Sequence, residues 1–273
     1  MTYRTILAHA DAGPGATVRL EIAAHLAARH GATLDGVFVK PPFMPLPLPS
    51  DGLGYIPPAT WTALMESHRE LVARSEATAL TGFRAAVDAA KARAEWAAIE
   101  DATVWGFIGM ARCSDLVVFP MSGMESPHLT AMELAHESAA PLVLVPKSPN
   151  SVEPGRKVLV AWNGSREAAS ALRGAWPVLE AAERVELLMV EPPPEAAAFI
   201  GKRLERHGVK ARMHVYQQAD VQAGKMICGH AEELGVDLVV MDLYGHSRLR
   251  ELVLGGASRT MLIQETFPLL VSR

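Results

Sequence analysis

Cysteine is scarce: Cys113 and Cys228 are the only two in 273 residues, so no disulfide framework holds this chain together. Long apolar runs are missing as well. Nothing approaches the roughly 18 consecutive apolar residues of a membrane-spanning helix, which argues against the membrane as a partner. Concentrated basic charge is also lacking. Lys and Arg number 26 against 30 Asp and Glu, a net charge of −4, which leaves no electrostatic footprint for nucleic acid. The opening MTYRTILAHA runs straight into a strand pattern, without the charged leader, apolar core and cleavage site of an export signal. A cytoplasmic location is expected. The ten histidines form no HExxH or other metal-ligand spacing. His25 and His30, five apart on a helix, read as solvated. Cys228 and His230, two apart, would point to different faces of a helix, and Cys228 reads as a small buried thiol. No nucleophile elbow, Walker A loop or spaced Cys–His pair is present.

What is present is an ordinary globular composition, 49% apolar and 21% charged, in a chain long enough for one large domain or two small ones. The sequence then repeats itself. Ser114-Asp-Leu-Val-Val-Phe-Pro-Met-Ser-Gly123 lies over Val236-Asp-Leu-Val-Val-Met-Asp-Leu-Tyr-Gly245, with Asp115 on Asp237. Ile6-Leu-Ala-His-Ala-Asp11 lies over Val158-Leu-Val-Ala-Trp-Asn163, and both copies end in Pro-Leu-Val-Leu-Val or Pro-Leu-Leu-Val. The intervening 147–156, rich in Pro, Ser, Asn and Gly, has linker composition. Two domains follow, 1–148 and 156–273.

Short apolar strands alternate with amphipathic helices in each half, the pattern of a parallel sheet covered on both faces. Strands are predicted near 4–10, 33–39, 94–98, 115–120 and 141–146, then near 157–162, 185–191, 210–216, 237–243 and 268–272. In the first half Val18, Ile22 and Leu26 recur at helical spacing, and a long helix is predicted over 59–92. In the second half helices are predicted near 166–181, 194–207, 220–234 and 251–264. The proline-rich loop 41–57 and the long helix belong to the first half alone and suggest a lid or partner surface. Such sheets bind ligands beyond the carboxyl ends of their strands, where strand order reverses.

One stretch carries chemistry: Asp242-Leu-Tyr-Gly245, then Arg248 and Arg250, then Gly255-Gly256-Ala257-Ser258-Arg259. Glycines that end a strand and open a helix let backbone N–H groups approach a phosphate, and the helix N-terminus adds partial positive charge. The plainer reading is that Gly245 supplies a left-handed turn, that Gly255 and Gly256 permit close packing, and that the arginines form a solvated face. Ser165 reads as the cap of a helix beginning at Arg166 rather than as a nucleophile. Asp115 and Asp237 read as turn or cap residues.

On these motifs the whole chain resembles the universal stress protein family in its tandem form. Nucleotide-binding members carry G-2x-G-9x-G-(S/T) after the fourth strand and an Asp at the end of the first. Here Gly245 and Gly255 match the second and third glycines. Asp242 stands for the first glycine, Gly256 for the Ser/Thr, and Asn163 for the Asp. The first half keeps Asp11 but has only Gly123 of the loop. Its stretch is also shorter, 18 positions from Gly123 to Pro141 against 23 from Gly245 to Pro268.

The resemblance implies two five-stranded α/β domains packed as a pseudo-dimer, with the last strands, near 142–145 and 269–272, paired edge to edge; further homodimerisation is open. It also implies a stress-response regulator binding ATP or AMP, with or without Mg²⁺, in the second domain. The nucleotide-binding set would be Asn163, Val190, Asp242, Gly245, Arg248, Gly255, Gly256, Ala257 and Ser258. A carboxylate at 242 repels a triphosphate unless Mg²⁺ or an arginine intervenes. No residue stands out as a base to activate water, so no dedicated catalysis is expected beyond weak ATP hydrolysis. The alternative is a nucleotide-independent member that acts through an unknown protein partner. An adenylating ligase would need a Ser-Gly-Gly-x-Asp-Ser loop, and none is present.

Overall fold

Ten strands join in one sheet whose order, β3-β2-β1-β4-β5-β10-β9-β6-β7-β8, reads as two five-stranded halves meeting at their last strands. The structure, a computed structural model, describes residues 2–43, 57–100, 106–121, 130–193, 195–217, 222–243 and 256–272. The first half runs β1 (Thr5–Ala10), α1 (Ala16–His30), β2 (Thr33–Val39), α2 (Pro58–Ala90), β3 (Arg93–Ile99), α3 (Phe107–Arg112), β4 (Leu116–Pro120), α4 (Ala131–Ser138) and β5 (Leu142–Val145). The second runs β6 (Lys157–Ala161), α5 (Arg166–Ala181), β7 (Arg184–Val190), α6 (Ala196–Arg206), β8 (Ala211–Tyr216), α7 (Ala223–Glu233), β9 (Leu238–Asp242), α8 (Gly256–Ile263) and β10 (Leu269–Ser272). Every predicted strand is present within a residue or two; the central ones are short apolar runs bounded by turn residues, and the edge strands β3 and β8 are more polar. The proline-rich segment 44–56 lies outside the described residues.

Within each half the strands are parallel, and at the junction β5 and β10 run antiparallel, with Val143 opposite Leu270 and Leu144 opposite Leu269. Alternation along the strands feeds two cores. Ile6, Ala8, Val118, Val143, Val240 and Leu270 face α1, α2, α5 and α6. Leu7, Val117, Leu144, Val239 and Leu269 face α3, α4, α7 and α8. Each core continues across the junction, as the pseudo-dimer implied by the resemblance requires. Further bonds cross there: Tyr3 Oη donates to the Gly174 carbonyl at 2.5 Å, and Arg29 Nη1 donates to the Pro154 carbonyl at 2.9 Å.

The repeat is visible at single residues. Asp115 Oδ2 accepts from the N–H groups of Arg4 and Thr5 at 2.7 and 3.0 Å. Asp237 accepts from Gly155, Arg156 and Lys157 at 2.7, 3.1 and 3.0 Å. Each aspartate thus staples the start of its half's first strand to the fourth. Burial pushes the Asp237 carboxyl up, and those backbone donors offset only part of the shift.

The halves differ on the α1/α2 and α5/α6 face. In the middle of β2, Gly36 leaves room for Phe83 of α2; a Cβ there would stand 2.4 Å from the ring. Phe83, with Ala79 and Ala86, anchors the last turns of the 33-residue α2, while Trp61, Leu64 and Leu71 of its earlier turns are exposed. In the repeat register Leu187 replaces Gly36, and the shorter α6 buries only Ile200 and Leu204.

His30 corrects an expectation. It is not solvated: its ring packs edge-on against Tyr3, centroids 5.0 Å apart, and Nε2 is buried without a hydrogen-bond partner. Burial, reinforced by Arg29, lowers its pKa to about 4. Between that value and the ordinary 6.5 the unfolded chain binds a proton that the folded chain refuses, so stability present above pH 6.5 is lost as pH falls toward 4. The full difference would be about 3 kcal/mol, reduced to about 2 kcal/mol because the ring is partly open to water. His30→Gln should flatten this part of the stability–pH curve. An unchanged slope in urea denaturation at pH 7, 6, 5 and 4.5 would count against it.

Candidate functional site

In the second half the topological switch lies between β6 and β9, which are neighbours while their following strands run to opposite sides. Asn163 stands two residues past the end of β6, and Asp242 is the last residue of β9. They meet: Asn163 Nδ2 donates to Asp242 Oδ2 at 3.2 Å. Asn163 Oδ1 accepts from Ser165 N at 2.9 Å, which fixes the amide's orientation. Ser165 Oγ in turn accepts from Ala168 N at 2.9 Å, the helix cap expected of it. Two of the three positions that depart from the family's pattern are therefore partners of one another.

Ser258 joins them. It is buried in the first turn of α8, and its hydroxyl lies 3.4 Å from the Asp242 carbonyl, tying the start of the helix to the end of the strand. Ala257 packs against α7 at Gly224, where a Cβ would come within 2.9 Å of the Ala257 Cα. Gly256 opens α8. Val190 ends β7, half-buried and opposite Tyr216 of the edge strand. Gly245, Arg248, Arg250 and Gly255 lie outside the described residues. So do Gly123 and the rest of 122–129 in the first half. The structure thus brings Asn163, Asp242 and the opening of α8 to one place, with Val190 on the neighbouring strand end.

The corresponding place in the first half is arranged differently. Asp11 makes the same turn, Oδ1 accepting from Gly13 N at 2.8 Å. Its other oxygen is held by Arg19, whose Nη2 donates to Oδ2 at 2.7 Å. Arg19 is 2% exposed and also donates to the His9 carbonyl at 3.0 Å. His9 Nδ1 lies 3.3 Å from the same carboxylate oxygen. Burial would raise the Asp11 pKa, but His9 and Arg19 outweigh it and hold the carboxyl well below the usual range. Burial in turn keeps His9 below its ordinary value. The repeat register puts Ala171 where Arg19 stands, so the second half has no internal guanidinium at this point. Sequence reasoning missed Arg19. The signal was a cation between Val18 and Leu20, at helical spacing from the buried Ala23 and Leu26 of the same helix.

Cys228 is half-buried with its thiol 3.3 Å from the Met261 sulfur, and burial pushes its pKa up. His230 turns instead to Tyr216, Nε2 and Oη 2.8 Å apart. No metal-binding cluster occurs among the described residues. No helix among them is long and apolar enough to cross a membrane.

Comparison with known proteins places this architecture. A universal stress protein from Archaeoglobus fulgidus matches over 98% of both chains, with a TM-score of 0.68 at 16% identity. A putative universal stress protein from Pseudomonas aeruginosa covers 99% of this chain and 93% of its own, TM-score 0.58 at 13% identity. A functionally unknown protein from the same species covers 99% and 92%, TM-score 0.57 at 14% identity. No family model and no curated protein sequence matches. The chain has the tandem universal stress protein fold: α/β, with two parallel five-stranded halves joined through their last strands.

Proposed function

We propose that this chain is a universal stress protein-type regulator, with domains 1–148 and 156–273, that binds an adenine nucleotide, ATP or AMP, in the second. It acts in the cytoplasm by nucleotide-dependent association with a protein partner and carries no dedicated catalytic machinery. The observation that supports this reading is the convergence of Asn163, Asp242 and the N-terminus of α8 at the switch between β6 and β9. A nucleoside there would meet the Asn163 amide, which can both donate and accept. Its phosphates would meet the opening of α8. Mg²⁺ would compensate the Asp242 charge when ATP is bound.

The same hydrogen bond favours a second reading. Asn163 and Asp242 satisfy each other, and Asp11 is held by Arg19, so both halves could serve as scaffolds without a nucleotide. Two measurements separate the readings. Protein purified without added nucleotide is denatured and assayed for released adenine compounds. ATP and AMP are then titrated, with and without Mg²⁺, into wild type and Gly245→Val. Saturable binding near micromolar that disappears in the variant supports the nucleotide-binding regulator. No released compound and no saturation up to about millimolar, roughly −4 kcal/mol, supports the scaffold.

A further inference from the structure

On the face opposite α7 and α8, a groove of about 760 Å³ opens between α5 and α6. Trp162 and Gly164, the chain neighbours of Asn163, lie in its lining, but Asn163, Val190, Asp242 and the start of α8 do not, and the inference does not rest on the nucleotide reading. The halves differ at this face. In the first, Gly36 lets Phe83 sink to the sheet, so α2 closes on α1. In the second, the buried Leu187 stands at the same register, and a groove lies between α5 and α6. The volume falls in the range of small-molecule sites.

The lining has a definite chemistry. Trp162, Leu172, Trp176 and Ile200 form an apolar floor, and Phe199, 68% exposed, stands on the α6 side as an aromatic ring left in water. Trp176 is held rigidly: His207 stacks on it at 3.8 Å with 7° between the planes, and the Arg203 guanidinium sits 5.9 Å from its ring centre. Two cations border the floor, Arg173 from α5 and Arg203 from α6. Because β6 and β7 are parallel, α5 and α6 run the same way, and each arginine stands seven residues into its helix. Both therefore lie about 10 Å along from their helix starts, and both border the groove. Among the described residues neither has a carboxylate partner. The one acid of the lining, Glu195, caps α6 at the opposite end, where it would repel an anion.

We infer that this groove binds an amphipathic monocarboxylate of medium length. Its carboxylate lies between Arg173 and Arg203, and its apolar body runs toward Trp162 beneath Phe199. The separated apolar and cationic ends require both parts of the ligand, since a purely apolar molecule would leave the arginines unused and a small anion would leave the aromatic floor wet.

The test is calorimetric titration of the full chain with decanoate, below its micellar range and at physiological salt. One saturable site is expected per chain. Arg173→Glu and Arg203→Glu should each weaken it at least tenfold, and both positions are exposed, so the fold should survive. Decanol should bind wild type at least tenfold more weakly than decanoate and be unaffected by either charge reversal. Ala196→Trp, which fills the groove from a partly exposed helix position, should abolish binding of decanoate while leaving the circular dichroism and melting temperature in place. Absence of saturation, equal affinity for decanol, or decanoate binding indifferent to both charge reversals would each overturn the proposal.

Discussion

Val143→Asp should cost at least about 4 kcal/mol of folding stability at neutral pH, whereas Val143→Ala should cost about 2 kcal/mol. Val143 is 1% exposed and lies opposite the fully buried Leu270, the pair through which one half's last strand meets the other's. A carboxylate introduced there would find apolar neighbours on the α1/α5 face: Val145, Val240, Ala175 and Leu270 all belong to the same core. Val143 is shielded from water, so the cost is that of a buried charge among apolar side chains rather than of lost packing alone. Since ordinary domains are stable by only about 5–15 kcal/mol, the loss would consume much of the total. Urea denaturation followed by circular dichroism measures it, with Val152→Asp as control. Val152 is 40% exposed in the connecting segment, and its substitution should change stability by no more than about 0.5 kcal/mol. If Val143→Asp proved as mild as the control, the junction would not be the apolar seam described. The same logic predicts that the two halves lose structure together, because both cores run through the seam.

Much of this architecture was legible in the sequence, for a simple reason. Parallel strands covered on both faces must be apolar at every position, so they appear as unbroken runs such as Leu116-Val-Val-Phe119 and Leu238-Val-Val-Met241, and the repeat aligned the two halves. Even the strands of the seam, near 142–145 and 269–272, were placed by resemblance. What was not legible depends on contacts between distant residues. His30 reads as a surface histidine until Tyr3, 27 residues earlier, covers it. Arg19 reads as a helix-surface cation until the turn after β1 delivers Asp11 to it. The Asn163–Asp242 pair spans 79 positions, and each residue alone looks like an eroded motif position. The groove between α5 and α6 is lined by residues from 162 to 203, and it appears only when the helices are in place. Asp115 and Asp237 were read as turn or cap residues, and the structure makes that role specific by showing which N–H groups they hold.

At the candidate site, removing the charge of residue 242 should tighten ATP binding at least tenfold in the absence of Mg²⁺. The carboxylate lies where the nucleotide-binding pattern has glycine, next to the N-terminus of the helix that would hold the phosphates. Two unit charges 4 Å apart in a partly screened protein environment repel by about 4 kcal/mol, and about 1.4 kcal/mol suffices for a tenfold change in affinity. Even a third of that repulsion would therefore be measurable. ATP should gain more than AMP, which carries less charge, and Mg²⁺ should narrow the difference between wild type and variant by neutralising the phosphate chain. Asp242→Asn and Asp242→Gly separate two causes. The asparagine variant removes the charge but keeps a side chain that can bond the Asn163 amide. The glycine variant also removes the bulk and frees Asn163 to face a nucleoside. A gain in both variants identifies charge as the obstacle, and a gain in glycine alone identifies the occupied space. Adding Asn163→Asp to Asp242→Gly restores the acid found at this position in nucleotide-binding members and should tighten binding further, since a carboxylate accepts stronger hydrogen bonds from a ribose than an amide does. Should neither the wild type nor any of these variants bind ATP or AMP, the switch between β6 and β9 is not a nucleotide site, and the scaffold reading stands.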